Sequence, residues 1–194
     1  MTSITDRGVT LADRTVEAPV VVQAVGVTPR LELARLAGLA EGAGGVAVSS
    51  TLQTSDPHVW AAGDIAAVDH PLYRTRVRVE HWDVAQKHGQ YLGRALTSAA
   101  EPYSRAPYFF SDQFELGFEY RGWVDPSASA EIVVRGDDPA GSWYAFWLVG
   151  GAVQAVLNAN AWDDGDAIRT LVNGRVTVAP ARLSDPSVPL TELA

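Results

Sequence analysis

Residues Thr54-Ser-Asp-Pro-His-Val-Trp-Ala-Ala-Gly-Asp-Ile-Ala66 decide how this chain is read, and Val79-Glu-His-Trp-Asp83 answers them a short way downstream. Asp56-Pro57 opens a turn, because the proline ring fixes φ and keeps the preceding residue out of helix. His58 to Ala62 is a short apolar run with the length of an inner strand in a parallel sheet. Gly63 has no Cβ to obstruct a close approach. Asp64 then presents a carboxylate at the carboxyl end of that strand, the side on which open α/β sheets bind ligands. A carboxylate there accepts hydrogen bonds from sugar or polyol hydroxyls; equally, Asp64 can simply cap the next turn.

Upstream, Arg7 to Val16 reads as a hairpin around Ala12-Asp13. Val20-Val-Val-Gln-Ala-Val25 is a nearly continuous β-branched run, which predicts a buried strand. Thr28 and Pro29 suit the N-cap and first position of a short helix carrying Leu31, Leu33, Ala34, Leu36 and Ala37, stopped by Gly38. Glu41-Gly-Ala-Gly-Gly45 follows a helix and precedes a strand, Val46 to Val48. That is the reverse of the order a dinucleotide fingerprint requires, so the cluster reads as a plain turn. No Gly-x-Gly-x-x-Gly follows an N-terminal strand anywhere in the chain.

Downstream, Arg74, Arg76 and Arg78 recur at period two and predict one basic face of a strand, either attractive to an acidic partner or a solvated edge blunted by charge. A helix runs from Asp83, its candidate cap, to about Thr97, with Ala85, His88, Leu92, Ala95 and Leu96 on one face. Its N-terminus offers unpaired N–H groups and positive partial charge, and Gly89 and Gly93 admit close packing against its backbone. Ala99 to Tyr103 is a small polar link. Beyond it strands predominate. Phe114, Leu116, Phe118 and Tyr120 alternate, and Glu131 to Val134 is a strand closed by Gly136-Asp-Asp-Pro139. Trp143 to Val149 and Ala152 to Leu157 flank Gly150-Gly151, a two-residue hairpin signal. Asp163-Asp-Gly-Asp166 starts a helix ending at Asn173-Gly174, and the tail from Pro180 reads as extended.

The wording of TSDPHVWAAGDIA, RVRVEHWDVAQKHGQ and Pro107-Tyr-Phe-Phe-Ser-Asp-Gln113 resembles the FAD-dependent NAD(P)H:ferredoxin reductases, the rubredoxin-, putidaredoxin- and dioxygenase-reductase group related to apoptosis-inducing factor. The resemblance covers nearly the whole chain, with Gln23 at a usual glycine and Arg30 at a usual asparagine. It implies an α/β plus α+β chain: an incomplete FAD-binding portion of pyridine nucleotide reductase type, followed by a mostly antiparallel α+β reductase domain. Residues 1–26 would end an NAD-binding domain, 27–100 would be the C-terminal segment of the FAD-binding domain, and 101–194 the C-terminal domain. By the same resemblance Gly63 and Asp64 contact the ribityl and phosphate region of FAD. Glu80, His81 and Trp82 open a helix facing the flavin and nicotinamide, and Phe110 stands where many relatives carry a tryptophan near the ring. On residue type alone Trp82 reads rather as a core aromatic. The implied cofactors are FAD and, as substrate, NAD(P)H. The implied partner is a ferredoxin-type iron–sulfur protein; with the fingerprint and most of an NAD domain missing, the chain reads as a fragment, one chain of a split enzyme or a remnant, with a second chain supplying the missing half or a homodimer as further expected partners.

Composition narrows the alternatives. A net charge of −8 argues against a general nucleic-acid surface. The chain has no cysteine, so it holds no disulfide, thiolate metal site or redox dithiol. His58, His70, His81 and His88 show no metal-ligand spacing, and Asp163, Asp164 and Asp166 read as an acidic helix start. No leader and no membrane-length apolar run is visible, which makes the cytoplasm the expected compartment. A competing expectation is a cofactor-free interaction module that uses Trp143, Trp147 and Trp162 to contact a partner protein.

Overall fold

The computed structural model describes residues 2–98, 101–136 and 141–193. The turn expected at 137–139 and the start of the link at 99–100 lie outside them. The chain opens as an antiparallel meander of β1 (Ser3–Thr5), β2 (Gly8–Thr10) and β3 (Thr15–Glu17). The hairpin at Ala12-Asp13 forms as expected, with Thr10 paired to Thr15. A side chain at Gly8 would lie 2.1 Å from the Val16 carbonyl, so only glycine lets β2 and β3 close.

Val20 to Val25 does not form the buried strand that its β-branched residues predict. The segment is irregular, and Val20, Val22 and Val25 are 75–84% exposed. β-propensity needs a neighbouring strand to become structure, and no described strand pairs with this run. The following helix, α1 (Glu32–Leu36), begins later than Thr28-Pro29 suggests and has no side-chain cap. Its end is as expected: Gly38 takes φ +68°, and the Leu39 N–H reaches back to the Ala34 carbonyl.

The next sheet contains β4 (Glu41–Gly42), β5 (Gly45–Val48), β6 (Ala66–His70) and β7 (Thr75–Val77), in that order. Ala43 and Gly44, both at positive φ, make the two-residue turn between β4 and β5. The run His58 to Ala62 is not the parallel strand that its apolar residues suggest; Trp60 makes only an isolated bridge to Gln53. Gly63 at φ +76° breaks the extended backbone into a 3-10 turn, Gly63–Ile65. The parallel partner of β5 is therefore β6, which begins after Asp64 instead of ending before it. Leu31, Ala34, Val46, Val48, Leu52, Ala66 and Val68 form the core, and Tyr91 and Leu92 of α2 (Trp82–Ala95) cover it.

Strands β8 (Tyr108–Gln113), β9 (Leu116–Gly122), β10 (Glu131–Arg135), β11 (Trp143–Val149) and β12 (Ala152–Ala159) form an antiparallel sheet ordered β10-β11-β12-β9-β8. Gly150 and Gly151, at φ +59° and +79°, make the expected tight hairpin. Phe114 is not part of the alternating strand: it sits fully exposed at φ +59° in the β8–β9 turn. α3 (Gly165–Gly174) packs Ile168, Leu171 and Val172 into the core beneath this sheet. The tail is not extended. It folds as α4 (Pro180–Ser184) and a 3-10 turn (Leu190–Glu192), driving Leu183, Leu190 and Leu193 into the same core. The first part is thus α/β and the second α+β. The two meet where the Arg175 guanidinium donates to the Leu72 carbonyl at 3.3 Å. Among the described residues, no helix is long and apolar enough to cross a membrane.

Candidate functional site

Helix α2 begins at His81, whose backbone is extended and whose Nδ1 accepts the Asp83 N–H at 3.1 Å. Histidine, not the expected Asp83, is therefore the cap. Asp83 is instead buried in the first turn and faces the Arg105 guanidinium at 3.5 Å. Trp82, the first helical residue, is 64% exposed. The His81 ring lies 5.8 Å from both Phe109 and Phe110, and Phe110 is itself half exposed.

The Gly63-Asp64 turn is held against the same helix. A Cβ at Gly63 would lie 3.3 Å from the Ala85 methyl, and the Gly63 N–H donates to His88 Nδ1 at 3.1 Å. Arg78 ties the turn to the helix entrance. Its Nη1 donates to the Asp64 carbonyl at 3.1 Å and to Glu80 Oε1 at 2.6 Å, and its Nε donates to the Ala43 carbonyl at 3.0 Å. Gly63, Asp64, Glu80, His81 and Phe110 are thereby brought into one neighbourhood, and Trp82 emerges beside them. Among the described residues no donor meets the exposed Asp64 carboxylate.

Two expectations change. The basic edge is not a free row of charges: Arg76 donates to the carbonyls of Val48 and Ala67, at 2.9 and 2.6 Å, and Arg78 is engaged as above. Gly89 and Gly93 have open space where their side chains would be, so nothing described packs on them. Trp147 packs edge-on to Tyr120 and Trp143 is half buried, which leaves Trp162 as the exposed tryptophan of the three proposed for an interface.

The sequence names His88 and Arg78 only as members of a helix face and a basic run and gives Tyr103 no role. His88 reads as one apolar-face position among several, and only its acceptor bond to a residue 25 positions away gives it a role. It is 3% exposed. Burial, and secondarily the neighbouring His70, lowers its pKa to about 4. The ring is therefore neutral near pH 7, with Nδ1 an acceptor and the proton on Nε2. Burial also lowers the His70 pKa. Tyr103 stands edge-on to His88 at 4.7 Å between centroids, and burial pushes its phenol up to about 12. The arrangement combines a helix N-terminus, exposed aromatic faces and an unpartnered carboxylate. Such groups can lie against a flat ring and accept hydrogen bonds from hydroxyls.

Residues 2–89 match the family described as pyridine nucleotide-disulphide oxidoreductase, and residues 108–194 match the one described as reductase C-terminal. The ferredoxin–NAD(+) reductase component of the anthranilate 1,2-dioxygenase system of Burkholderia cepacia is 34% identical across 96% of this chain and 44% of its own length. Putidaredoxin reductase of Pseudomonas putida is 32% identical across 91% of this chain and 41% of its own. A crystal structure of a ferredoxin reductase from Rhodopseudomonas palustris superposes with a TM-score of 0.86 at 32% identity, covering 97% of this chain and 46% of that one. The chain belongs to the ferredoxin reductase family. It corresponds to the C-terminal portion of that family and spans less than half the length of these relatives. In ferredoxin reductase terms, the two matched regions leave residues 90–107 between them, the stretch that carries Tyr103 and Arg105 to the foot of α2.

Proposed function

We propose that this chain supplies the flavin-facing C-terminal portion of an FAD-dependent NAD(P)H:ferredoxin oxidoreductase, which passes electrons from NAD(P)H through FAD to an iron–sulfur protein. One observation carries the reading: Arg78 and α2 draw the Asp64 turn and the Glu80-His81-Trp82 entrance onto a single surface beside Phe110. Asp64 would accept hydroxyls of the ribityl chain, and the α2 N-terminus would direct positive potential at the pyrimidine end of the ring. Trp82 and Phe110 would lie against its faces, with Glu80 poised for a nicotinamide amide. When bound, the flavin supplies the change from two-electron to one-electron transfer, while the protein holds and tunes it.

Residues 27–100 would form the FAD-binding segment and 101–194 the C-terminal domain, with 1–26 the end of an NAD-binding domain. The chain carries no glycine-rich helix start to cradle the adenosine diphosphate end. These residues by themselves would therefore hold FAD weakly, and turnover needs the part of the site that lies outside them. The cytoplasm is the compartment that this chemistry suits.

The test is FAD titration of the full chain, followed by tryptophan fluorescence. Quenching is expected, smaller in Trp82→Phe, with Asp64→Asn weakening affinity about tenfold, equivalent to about 1.4 kcal/mol. No response at saturating FAD, alone or with a polypeptide supplying the fingerprint half of a related reductase, sinks the reading.

A further inference from the structure

The bond from the Gly63 N–H to His88 Nδ1 joins the candidate cofactor turn to the middle of α2, and both groups are buried. A neutral imidazole with its proton on Nε2 accepts this bond; an imidazolium presents a second N–H to the first and cannot. Gly63 lies next to Asp64 and takes a left-handed φ, so its amide orientation sets where the Asp64 carboxylate points. We propose that His88 is the positioning residue of the Asp64 turn, its neutral ring acting as the acceptor that keeps that carboxylate aimed at the cofactor surface.

The surroundings of His88 support this assignment. His70 on β6 and Tyr103 in the following link face the ring, and the Asp83–Arg105 pair lies beside Tyr103. Residues of β6, β7, α2 and the link enclose a cavity of about 10 Å³ that His70 and His88 both line, at the lower limit for one water. His70 is held by its Nε2 against the Arg105 carbonyl at 3.1 Å. None of these neighbours offers His88 a carboxylate contact that would favour the charged ring, and burial and His70 both disfavour it. The Gly63–His88 bond is therefore kept at neutral pH and is lost when the ring is protonated.

The inference rests on the flavin reading for its purpose, yet its test is separable. In the full chain, amide exchange and the chemical shift of Gly63 are followed by NMR across pH 3 to 8. The Gly63 shift is expected to titrate together with the His88 ring resonances. His88→Ala should speed Gly63 exchange about tenfold and weaken FAD binding by a similar factor. His88→Gln, which retains an acceptor oxygen, should restore much of both and abolish the titration. Should His88→Ala fail to fold, the shared midpoint in the unaltered chain still decides. Gly63 protection indifferent to His88, or a Gly63 shift that does not follow its titration, overturns the inference. A Gly63 amide that answers to His88 in a chain without FAD affinity upholds the link and removes the flavin reading instead.

Discussion

His88 makes the fold sensitive to acid, and the sign follows from its depressed pKa. In the unfolded chain the ring takes up its proton near the ordinary value of about 6.5, whereas in the fold it resists until about 4. The unfolded state therefore binds more protons between those values, and stability falls as pH drops through that window. It is fully present above about 6.5 and lost by about 4. Unfolding free energies from urea denaturation at pH 7.5 and 4.5 should differ by about 2 kcal/mol from this residue, with His70 adding in the same direction, and His88→Gln should narrow the gap. Arg78 acts differently, through three acceptors at once. Arg78→Ala leaves the Asp64 and Ala43 carbonyls without their donor, and urea denaturation should show a loss of about 2 kcal/mol. Neither residue announces itself in the sequence. Asp64, Trp82 and Phe110 can be read from a motif. A histidine on a helix face and an arginine in an alternating basic run gain their meaning only from partners that the fold brings near.

Elements were legible where the deciding chemistry is local. Gly150-Gly151 forces its hairpin through two positive φ angles that other residues resist, and Gly38 stops α1 in the same way. Elements that depend on distant partners were not legible. Val20 to Val25 has the composition of a buried strand and remains irregular for want of a neighbour, while His58 to Ala62 loses its strand to the break at Gly63. The tail shows few apolar residues in sequence, yet three leucines at irregular spacing fix it to the core. An exposed, uncharged β-branched run is a template for intermolecular pairing. Val22→Lys should therefore lower self-association in light scattering while changing the urea midpoint by less than about 0.5 kcal/mol, because Val22 is 84% exposed.

At the scale of the whole molecule, Leu72 and Tyr73 of the first part pack against the second, beside the Arg175–Leu72 bond, and the larger of the two cores depends on residues 183–193. Leu183 has no exposed surface beneath the five-stranded sheet. Leu183→Ala should cost about 3 kcal/mol and lower the midpoint of the near-ultraviolet signal from the C-terminal tryptophans. Gly122 is the matching constraint on the sheet itself: at φ +111°, a Cβ would lie 2.3 Å from the Gln154 carbonyl. Gly122→Ala must push β9 from β12, and its thermal midpoint should fall further than that of an alanine placed at the open Gly89.

The Ala43-Gly44 turn looks like a harmless place to splice in an epitope or let a protease cut, being short, glycine-bearing and remote in sequence from the helix entrance. Yet the guanidinium that grips the Ala43 carbonyl also grips Asp64 and Glu80. A nick or insertion there would slacken a tether running under the floor of the proposed cofactor seat, so damage to an apparently idle loop would register as lost ligand affinity.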